Sequence, residues 1–371
     1  MDGDDMEEHS RPTITVILGA GASRDVSYDT GVIRSGRDHR SWIPSPLDFD
    51  FFDLLQRLEA RTEPGTARES ISGIIKKIVN FEGEQPLWQS MERAFYNLHE
   101  RAVLDYQLFR AAKGPDLGHE LIEDFLASIR ALLDEAHGEQ ISDNHRYLFQ
   151  RLYHPDAVLT FNYDFVAERA VASRFYARHS PDTSTRFGEW FYALAEREQS
   201  APIDVPTLYK LHGSLNWKLE DEHGETRNAR RDWPGNWPEF AKELVYTPTV
   251  REGYGQDKRW RPPILLPYWE KRVESGVWLE LWRAAAEQLR KTDILIIWGY
   301  SLPATDLKAR ELLSLAFGRE GANLRRVVVI DPSKETQERW RRMFLRQAFF
   351  RYQSFKEFKP DWLETGWPDY A

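Results

Sequence analysis

The clearest indication of architecture is the stretch Ile14-Thr15-Val16-Ile17-Leu18-Gly19-Ala20-Gly21-Ala22-Ser23, where a run of β-branched and aliphatic residues stops at a glycine-rich turn. Four further apolar runs have the same character and end abruptly in Gly, Asn, His or Asp: residues 157–161, 208–211, 294–298 and 327–330. Such runs, without polar alternation, are typical of strands covered on both faces, and helical stretches separate most of them. The sequence therefore predicts an α/β fold built on a Rossmann-like parallel sheet.

The gap between the first two runs is too long for a single crossover helix. Within it, seven apolar residues recur at helical spacing and stop before Gly138: Leu121, Ile122, Phe125, Leu126, Ile129, Leu132 and Leu133. We therefore expect an inserted helical module at residues 47–152, within a sheet domain made of residues 11–46 and 153–335. Residues 336–371 form a C-terminal tail that we expect to begin as a helix, packed by its apolar stripe, and to end as irregular chain.

The composition excludes several classes of protein. The chain has 371 residues, 59 acidic and 50 basic side chains, a formal net charge of −9 and no cysteine. Without cysteine there is no disulfide framework, thiolate zinc site or cysteine nucleophile. The negative charge argues against direct nucleic-acid binding. Because no apolar run approaches the ~20 residues that span a bilayer, we expect a cytoplasmic protein with no membrane segment.

The glycine turn after the first run has two interpretations. Gly19, Ala20 and Gly21 allow backbone N–H groups to approach a phosphate closely. However, Arg24 occupies the place of the third glycine of the dinucleotide fingerprint, and a strand-to-helix turn needs glycine for steric reasons alone. The turn taken by itself leaves both interpretations open.

Polar side chains also follow the other runs. Asn162 offers a neutral amide that can hold a hydroxyl or a water, while Asp164, two residues later, is equally suited to capping a helix. Histidine side chains titrate near neutrality, so His212 is of a type suited to accepting a proton. The last two runs are followed by Gly299 with Ser301 and by Asp331. Since the carboxyl ends of parallel strands share one edge of a sheet, we expect these residues to surround one ligand.

Four motifs in this order resemble the sirtuin-like family, in particular its prokaryotic antiphage-defence branch, whose members cleave NAD. The motifs are Gly19-Ala20-Gly21-Ala22-Ser23, Thr160-Phe161-Asn162-Tyr163-Asp164, Leu211-His212-Gly213-Ser214 and Gly299-Tyr300-Ser301-Leu302. The chain departs from the protein-deacylating members because it cannot make their four-cysteine zinc module. Their Gly-Ile-Pro-Asp-Phe-Arg stretch is also absent at its usual distance, and Pro46-Leu47-Asp48-Phe49 resembles it only distantly.

The resemblance implies a role for each residue, with NAD as substrate and no zinc. Gly19, Ala20, Gly21 and Ser23 would line the dinucleotide phosphates and the neighbouring ribose. Asn162 would lie by the nicotinamide ribose and His212 would act as the general base, with Asp164 supporting them. Gly299 and Ser301 would contact the phosphate and ribose portion, and Asp331 would lie near the adenosine end.

The expected function is hydrolysis of NAD to nicotinamide and ADP-ribose by a gated effector of antiphage defence. The resemblance suggests control by assembly: a homo-oligomer, a hexameric DNA-translocating ATPase or a nucleic-acid-guided defence partner. Two alternatives stay open, a non-catalytic sensor of NAD or ADP-ribose and an NAD-dependent protein deacylase or ADP-ribosyltransferase. The sequence does not distinguish hydrolysis from cyclisation of the ADP-ribose product.

Overall fold

The computed structural model describes residues 11–29, 43–60, 90–92, 94–95, 117–137, 141–176, 192–193, 205–215, 217–220, 243–246, 264–265, 276–318 and 322–358. The helices of this part are α1 (Ala20–Asp29), α2 (Phe51–Glu59), α3 (Leu117–His137), α4 (Asp143–Phe149), α5 (Val166–Tyr176), α6 (Gly276–Arg290), α7 (Leu307–Phe317) and α8 (Lys334–Met343). Its strands are β1 (Ile14–Leu18), β2 (Ala157–Thr160), β3 (Thr207–Lys210), β4 (Trp217–Glu220), β5 (Glu243–Tyr246), β6 (Ile294–Trp298), β7 (Arg326–Ile330) and β8 (Ala348–Tyr352). None of these helices is long and apolar enough to cross a membrane.

Six of the strands form one parallel sheet in the order β3-β2-β1-β6-β7-β8. The register places Val16 of β1 between Val158 of β2 and Ile296 of β6. Every residue of β1, β2, β3 and β6 is buried, which explains why the predicted runs lack polar alternation. The Rossmann-like parallel sheet predicted from the sequence is confirmed. Strands β4 and β5 form a separate antiparallel pair.

The order of the strands creates a switch point beside β1. From β1 the chain continues outward to β2 and β3 on one side, and β6, β7 and β8 follow on the other. The loops after β1 and β6 therefore leave the sheet in neighbouring positions, and a crevice at such a point is the usual ligand site of an open parallel sheet.

The C-terminal tail corrects one expectation. The predicted helix is present as α8, and its Trp340 is buried against the sheet with its indole N–H bonded to the Tyr300 carbonyl at 2.9 Å. Residues 348–352, expected to be irregular, form strand β8 and pair with β7. Strand β8 lies at the edge of the sheet, and each of its residues is exposed or half-buried. A continuous apolar run is therefore not needed to form it.

The described residues of the predicted helical module form a second apolar cluster. Phe51 and Leu55 of α2 pack with Phe125 and Ile129 of α3, and the Phe51 and Phe125 rings lie 5.4 Å apart. The cluster includes Tyr163 and Leu215, which follow β2 and β3. Helix α4 packs instead into the core of the sheet. The module thus contacts the loops at the carboxyl ends of the strands, while the boundaries 47 and 152 remain a prediction.

Candidate active site

A cavity of about 730 Å³ lies at the carboxyl ends of the six parallel strands. Eight of the predicted site residues line it: Ala20, Gly21, Asn162, Asp164, His212, Gly299, Ser301 and Asp331. Gly19 and Ser23 are not among the lining residues, but each is hydrogen-bonded to one that is. The structure therefore brings the predicted residues together, while the role of each remains a prediction. The volume falls within the range usual for small-molecule and cofactor pockets.

The glycine turn is shaped by close packing against the loop after β6. The N–H of Gly19 donates to the Trp298 carbonyl and that of Gly21 to the Gly299 carbonyl, both at 3.0 Å. A Cβ on Gly21 would lie 2.9 Å from the Gly299 Cα, closer than real side chains come. The N–H of Ala22 donates to the Gly19 carbonyl at 2.9 Å. The steric interpretation of the turn is therefore the one its geometry supports, and three of its N–H groups already have acceptors.

Ser23 links the amide and the carboxylate that follow β2. The Asn162 side-chain N–H₂ donates to the Ser23 hydroxyl at 2.8 Å, and that hydroxyl donates to Asp164 Oδ2 at 2.6 Å. The other oxygen of Asp164 accepts the Val166 N–H at 3.0 Å, so Asp164 also caps α5 as the sequence allowed. Through these hydrogen bonds Ser23, which does not itself line the cavity, orients the Asn162 amide.

The Asp164 carboxylate is held ionised despite its burial. Burial acts to raise its pKa, but the nearby His137 and Lys210, with the hydrogen bonds from Ser23 and Val166, lower the pKa below its usual value. Lys210 is itself buried, and its ammonium group donates to the Asp164 carbonyl and to Glu168 Oε1. These contacts fix the loop that carries Asn162.

We expect Ser23→Ala to destabilise the protein by about 1–3 kcal/mol, because it leaves Asp164 Oδ2 and the Asn162 amide without this buried partner. The free energy of unfolding in urea measures the loss. Ser173→Ala is the matched control, since its hydroxyl donates to the Ala170 carbonyl within α5. Equal stability of the two variants would contradict the proposed bridge.

His212 lies in an aromatic and acidic surrounding. Its ring packs edge-on against Phe161 at 4.9 Å and over Tyr163 at 6.2 Å. Its Nε2 atom lies 3.0 Å from Asp306 Oδ2, and both side chains are almost fully buried. Phe161 directly precedes Asn162, so the residues that carry the amide and the imidazole follow the neighbouring strands β2 and β3.

Asp306 is a site residue that sequence reasoning missed. It lies eight residues beyond the end of β6 and caps α7 through the Ala309 N–H, so its position indicates an ordinary helix cap. Its second oxygen accepts the Tyr300 hydroxyl at 2.8 Å, in addition to the contact with His212. His212, after β3, and Asp306, before α7, come together only in the folded chain. No local feature of the sequence indicates this contact.

The predicted module supplies part of the cavity wall. Leu47, Asp48 and Phe49 of the module line the cavity, as do Glu92 and, just before the module, Pro46. Residues 46–49 resemble a deacylase motif only distantly. Asp48 Oδ1 accepts the Ser90 hydroxyl at 3.0 Å and the Glu92 N–H at 2.8 Å. Burial raises the pKa of the Asp48 carboxyl, although these hydrogen bonds act to lower it.

The far end of the cavity is formed by the loops after β6, β7 and β8. The Asp331 carboxylate accepts the Ser333 N–H at 2.8 Å, and its pKa is raised by burial, against the opposing effects of this bond and of Arg339. Arg339 also donates to the Ser301 carbonyl at 2.6 Å. Gln353, Ser354 and Phe355 line this end as well, so the tail contributes directly to the site.

A buried histidine supports the floor of this end. His145 stacks on Trp298 with ring centroids 4.4 Å apart, and its Nδ1 atom lies 2.6 Å from the Ser142 hydroxyl. Burial, with His137 nearby, lowers the pKa of His145 to about 3, although Asp164 acts to raise it. The folded protein therefore holds this imidazole neutral far below neutral pH.

We expect the free energy of unfolding to fall as the pH drops from 6.5 towards 3. Over this interval the unfolded chain binds a proton on His145 that the folded protein excludes, which costs up to about 1.4 kcal/mol per pH unit. Above pH 6.5 the group is neutral in both states and the loss disappears. Denaturation of the wild type and of His145→Gln between pH 4 and 7 tests this, since the variant should lose stability less steeply. Identical slopes would contradict it.

Within the described residues, no group of three or more His, Asp or Glu side chains is arranged to hold a metal ion.

Comparison with known proteins finds a family model that matches most of the sheet. The family model of the SIR2-like domain matches residues 156–352, more than half of the chain. A solved Sir2 structure with a p53 peptide and NAD+ shares 14% sequence identity, with 96% of this chain and 94% of that chain covered and a TM-score of 0.34. A Sir2 structure bound to an acetylated peptide shares 13% identity with the same coverage and a TM-score of 0.32. No curated protein sequence matches the chain significantly.

Proposed function

The chain belongs to the family of SIR2-like domain proteins, and on this premise we propose that it is an NAD glycohydrolase. The proposed reaction breaks the bond between nicotinamide and ribose and releases nicotinamide and ADP-ribose. The observation that carries the proposal is the placement of Asn162 and His212 in one cavity at the end of neighbouring strands.

The proposed mechanism needs a positioned sugar, a water and a base. The C1′–N bond breaks with its electron pair leaving on nicotinamide, which departs as a neutral molecule, while positive charge develops on the ribose. The oxygen of a water molecule forms the new bond to C1′, and its proton passes to His212 and then to solvent. Asn162, oriented by Ser23, holds the water or a ribose hydroxyl beside C1′.

Charge in the cavity supports one orientation of the dinucleotide. Arg24, which replaces the third fingerprint glycine, lines the cavity beside the glycine turn and pairs with Asp50. An arginine at this place can balance the pyrophosphate, whose nearest N–H groups on Gly19 and Gly21 already have acceptors. The nicotinamide ribose would then lie toward His212, where the Asp306 carboxylate favours the positive charge that develops on the ribose.

The proposed cellular role is a gated effector of antiphage defence that depletes NAD. It is supported by the resemblance of the motifs and by the contribution of Asp48 and Glu92 from the predicted module to the cavity wall. Assembly through the module, with further copies of this chain, a hexameric DNA-translocating ATPase or a nucleic-acid-guided partner, would then act on the site directly. A protein that is monomeric at all concentrations and fully active would contradict this gating.

The experiment that tests the activity is incubation of the purified protein with NAD, with and without candidate partners, followed by chromatography of the products. We expect nicotinamide and ADP-ribose in equal amounts, while cyclic ADP-ribose would identify cyclisation. Thermal stabilisation by NAD without nicotinamide release would identify a sensor and contradict the proposal. Nicotinamide release only when an acylated peptide is added would identify a deacylase.

A further inference from the structure

A carboxylate that is not part of the recognised motifs contacts the proposed base. Asp306 Oδ2 lies 3.0 Å from His212 Nε2, and the side chains are 0% and 3% exposed. At this depth a charge acts over a lower dielectric than at the surface, so the contact is stronger than a surface pair of the same length. The Asp306 carboxylate is held in place by two further donors, the Tyr300 hydroxyl on the same oxygen and the Ala309 N–H on the other.

The contact assigns the hydrogen on the imidazole ring. A neutral histidine carries its hydrogen on one nitrogen and a lone pair on the other, and a carboxylate that already accepts two donors takes the hydrogen of the nitrogen it faces. Resting on the proposed function, we infer that Asp306 is the positioning residue of the base. It accepts the Nε2 hydrogen of His212, so that Nδ1 carries the lone pair and takes the proton of the attacking water.

The same contact stabilises the charged form of the base. When Nδ1 takes the proton of the water, the ring becomes an imidazolium, and the Asp306 carboxylate then faces a full positive charge. In the described part of the chain, Glu92 and Asp48 also act on the Tyr163 ring stacked against His212, and Arg310 acts on Tyr300. Asp306 contacts the ring itself, with its Oδ2 atom 3.0 Å from Nε2.

Asp306→Asn separates the positioning role from the helix cap. Asparagine is as good an N-cap as aspartate, so α7 keeps the bond from the Ala309 N–H. With its oxygen on the Ala309 N–H, however, the amide presents its N–H₂ group to Nε2, and it carries no charge. The matched control is Asp293→Asn at the other end of β6, where the carboxylate accepts the Thr13 N–H at 2.8 Å, remote from the cavity.

The test combines NMR of ¹⁵N-histidine-labelled protein at pH 8 with steady-state NAD cleavage. The ring signals of His212 are assigned by their loss in His212→Gln. In the wild type we expect a protonated Nε2 and an unprotonated Nδ1. In Asp306→Asn we expect the hydrogen to move to Nδ1, because the amide N–H₂ group donates to Nε2, and we expect a fall in kcat of roughly 10²-fold with little change in KM. Asp293→Asn should match the wild type on both measurements.

A wild-type His212 with its hydrogen on Nδ1 would overturn the inference, and this result needs no variant to fold. Asp306→Asn with an unchanged tautomer and a kcat within about twofold of the wild type would also overturn it. Wild-type protein that cleaves no NAD would instead reject the proposed function, and the NMR spectrum would still report which nitrogen carries the hydrogen.

Discussion

Replacing His212 or Asn162 by alanine is expected to abolish measurable NAD cleavage while the protein remains folded. Removal of a well-placed general base costs roughly 10²–10⁴-fold in rate, and loss of the amide leaves the water or ribose hydroxyl unpositioned. Both side chains line the cavity, and neither belongs to a strand of the sheet. The fold therefore does not depend on them in the way it depends on the apolar residues of β1 or β6.

The measurement is nicotinamide release at saturating NAD, together with a thermal unfolding curve for each variant. His154→Ala is the control for His212→Ala, because His154 is an exposed residue before β2, at the opposite edge of the sheet from the cavity. We expect wild-type activity from the control. Nicotinamide release within tenfold of the wild-type rate by either test variant, well short of the roughly 10²-fold minimum for a base, would refute the assigned roles.

Gly299→Ala is expected to be the most damaging single substitution for stability in this region. Gly299 has φ +64°, and a Cβ there would overlap the Ala22 nitrogen and the Gly21 carbonyl carbon. Backbone atoms on both sides cannot move without breaking the bonds between the turns after β1 and β6. We expect a loss of roughly 3 kcal/mol or more, at the upper end of single-residue effects.

Urea denaturation of Gly299→Ala and Gly21→Ala tests this as a graded pair. The nearest atom to a Cβ on Gly21 is 2.9 Å away and Gly21 lies within helix α1, so its replacement should cost less. An unfolding free energy for Gly299→Ala that equals that of the wild type, or exceeds that of Gly21→Ala, would contradict this. It would show that the turns after β1 and β6 can move apart at little cost in free energy.

The sheet was predictable because strands buried on both faces have continuous apolar sequences. Such runs mark β1, β2, β3, β6 and β7, and each forms a strand close to its predicted bounds. Strand β8 was not predictable in this way. It pairs on one side with β7 and alternates between exposed and half-buried residues, so Ala348–Tyr352 carries no comparable run.

The candidate site was predictable where it follows directly from a strand. Asn162 and His212 come within two residues of β2 and β3, and the parallel sheet places them at a common edge. Asp306, Asp48 and Glu92 reach the cavity from positions that chain order does not relate to the strands. Their approach depends on packing between distant segments, which a single sequence does not record.

The proposed function depends on NAD binding in this cavity with its nicotinamide ribose beside Asn162 and position 212. A crystal structure of the His212→Ala protein soaked with NAD tests that claim most directly. We expect the ribose C1′ within about 4 Å of the Asn162 side chain, close to reacting distance, and the pyrophosphate beside Arg24. NAD bound at another surface, or with its adenine end at Asn162, would contradict the account.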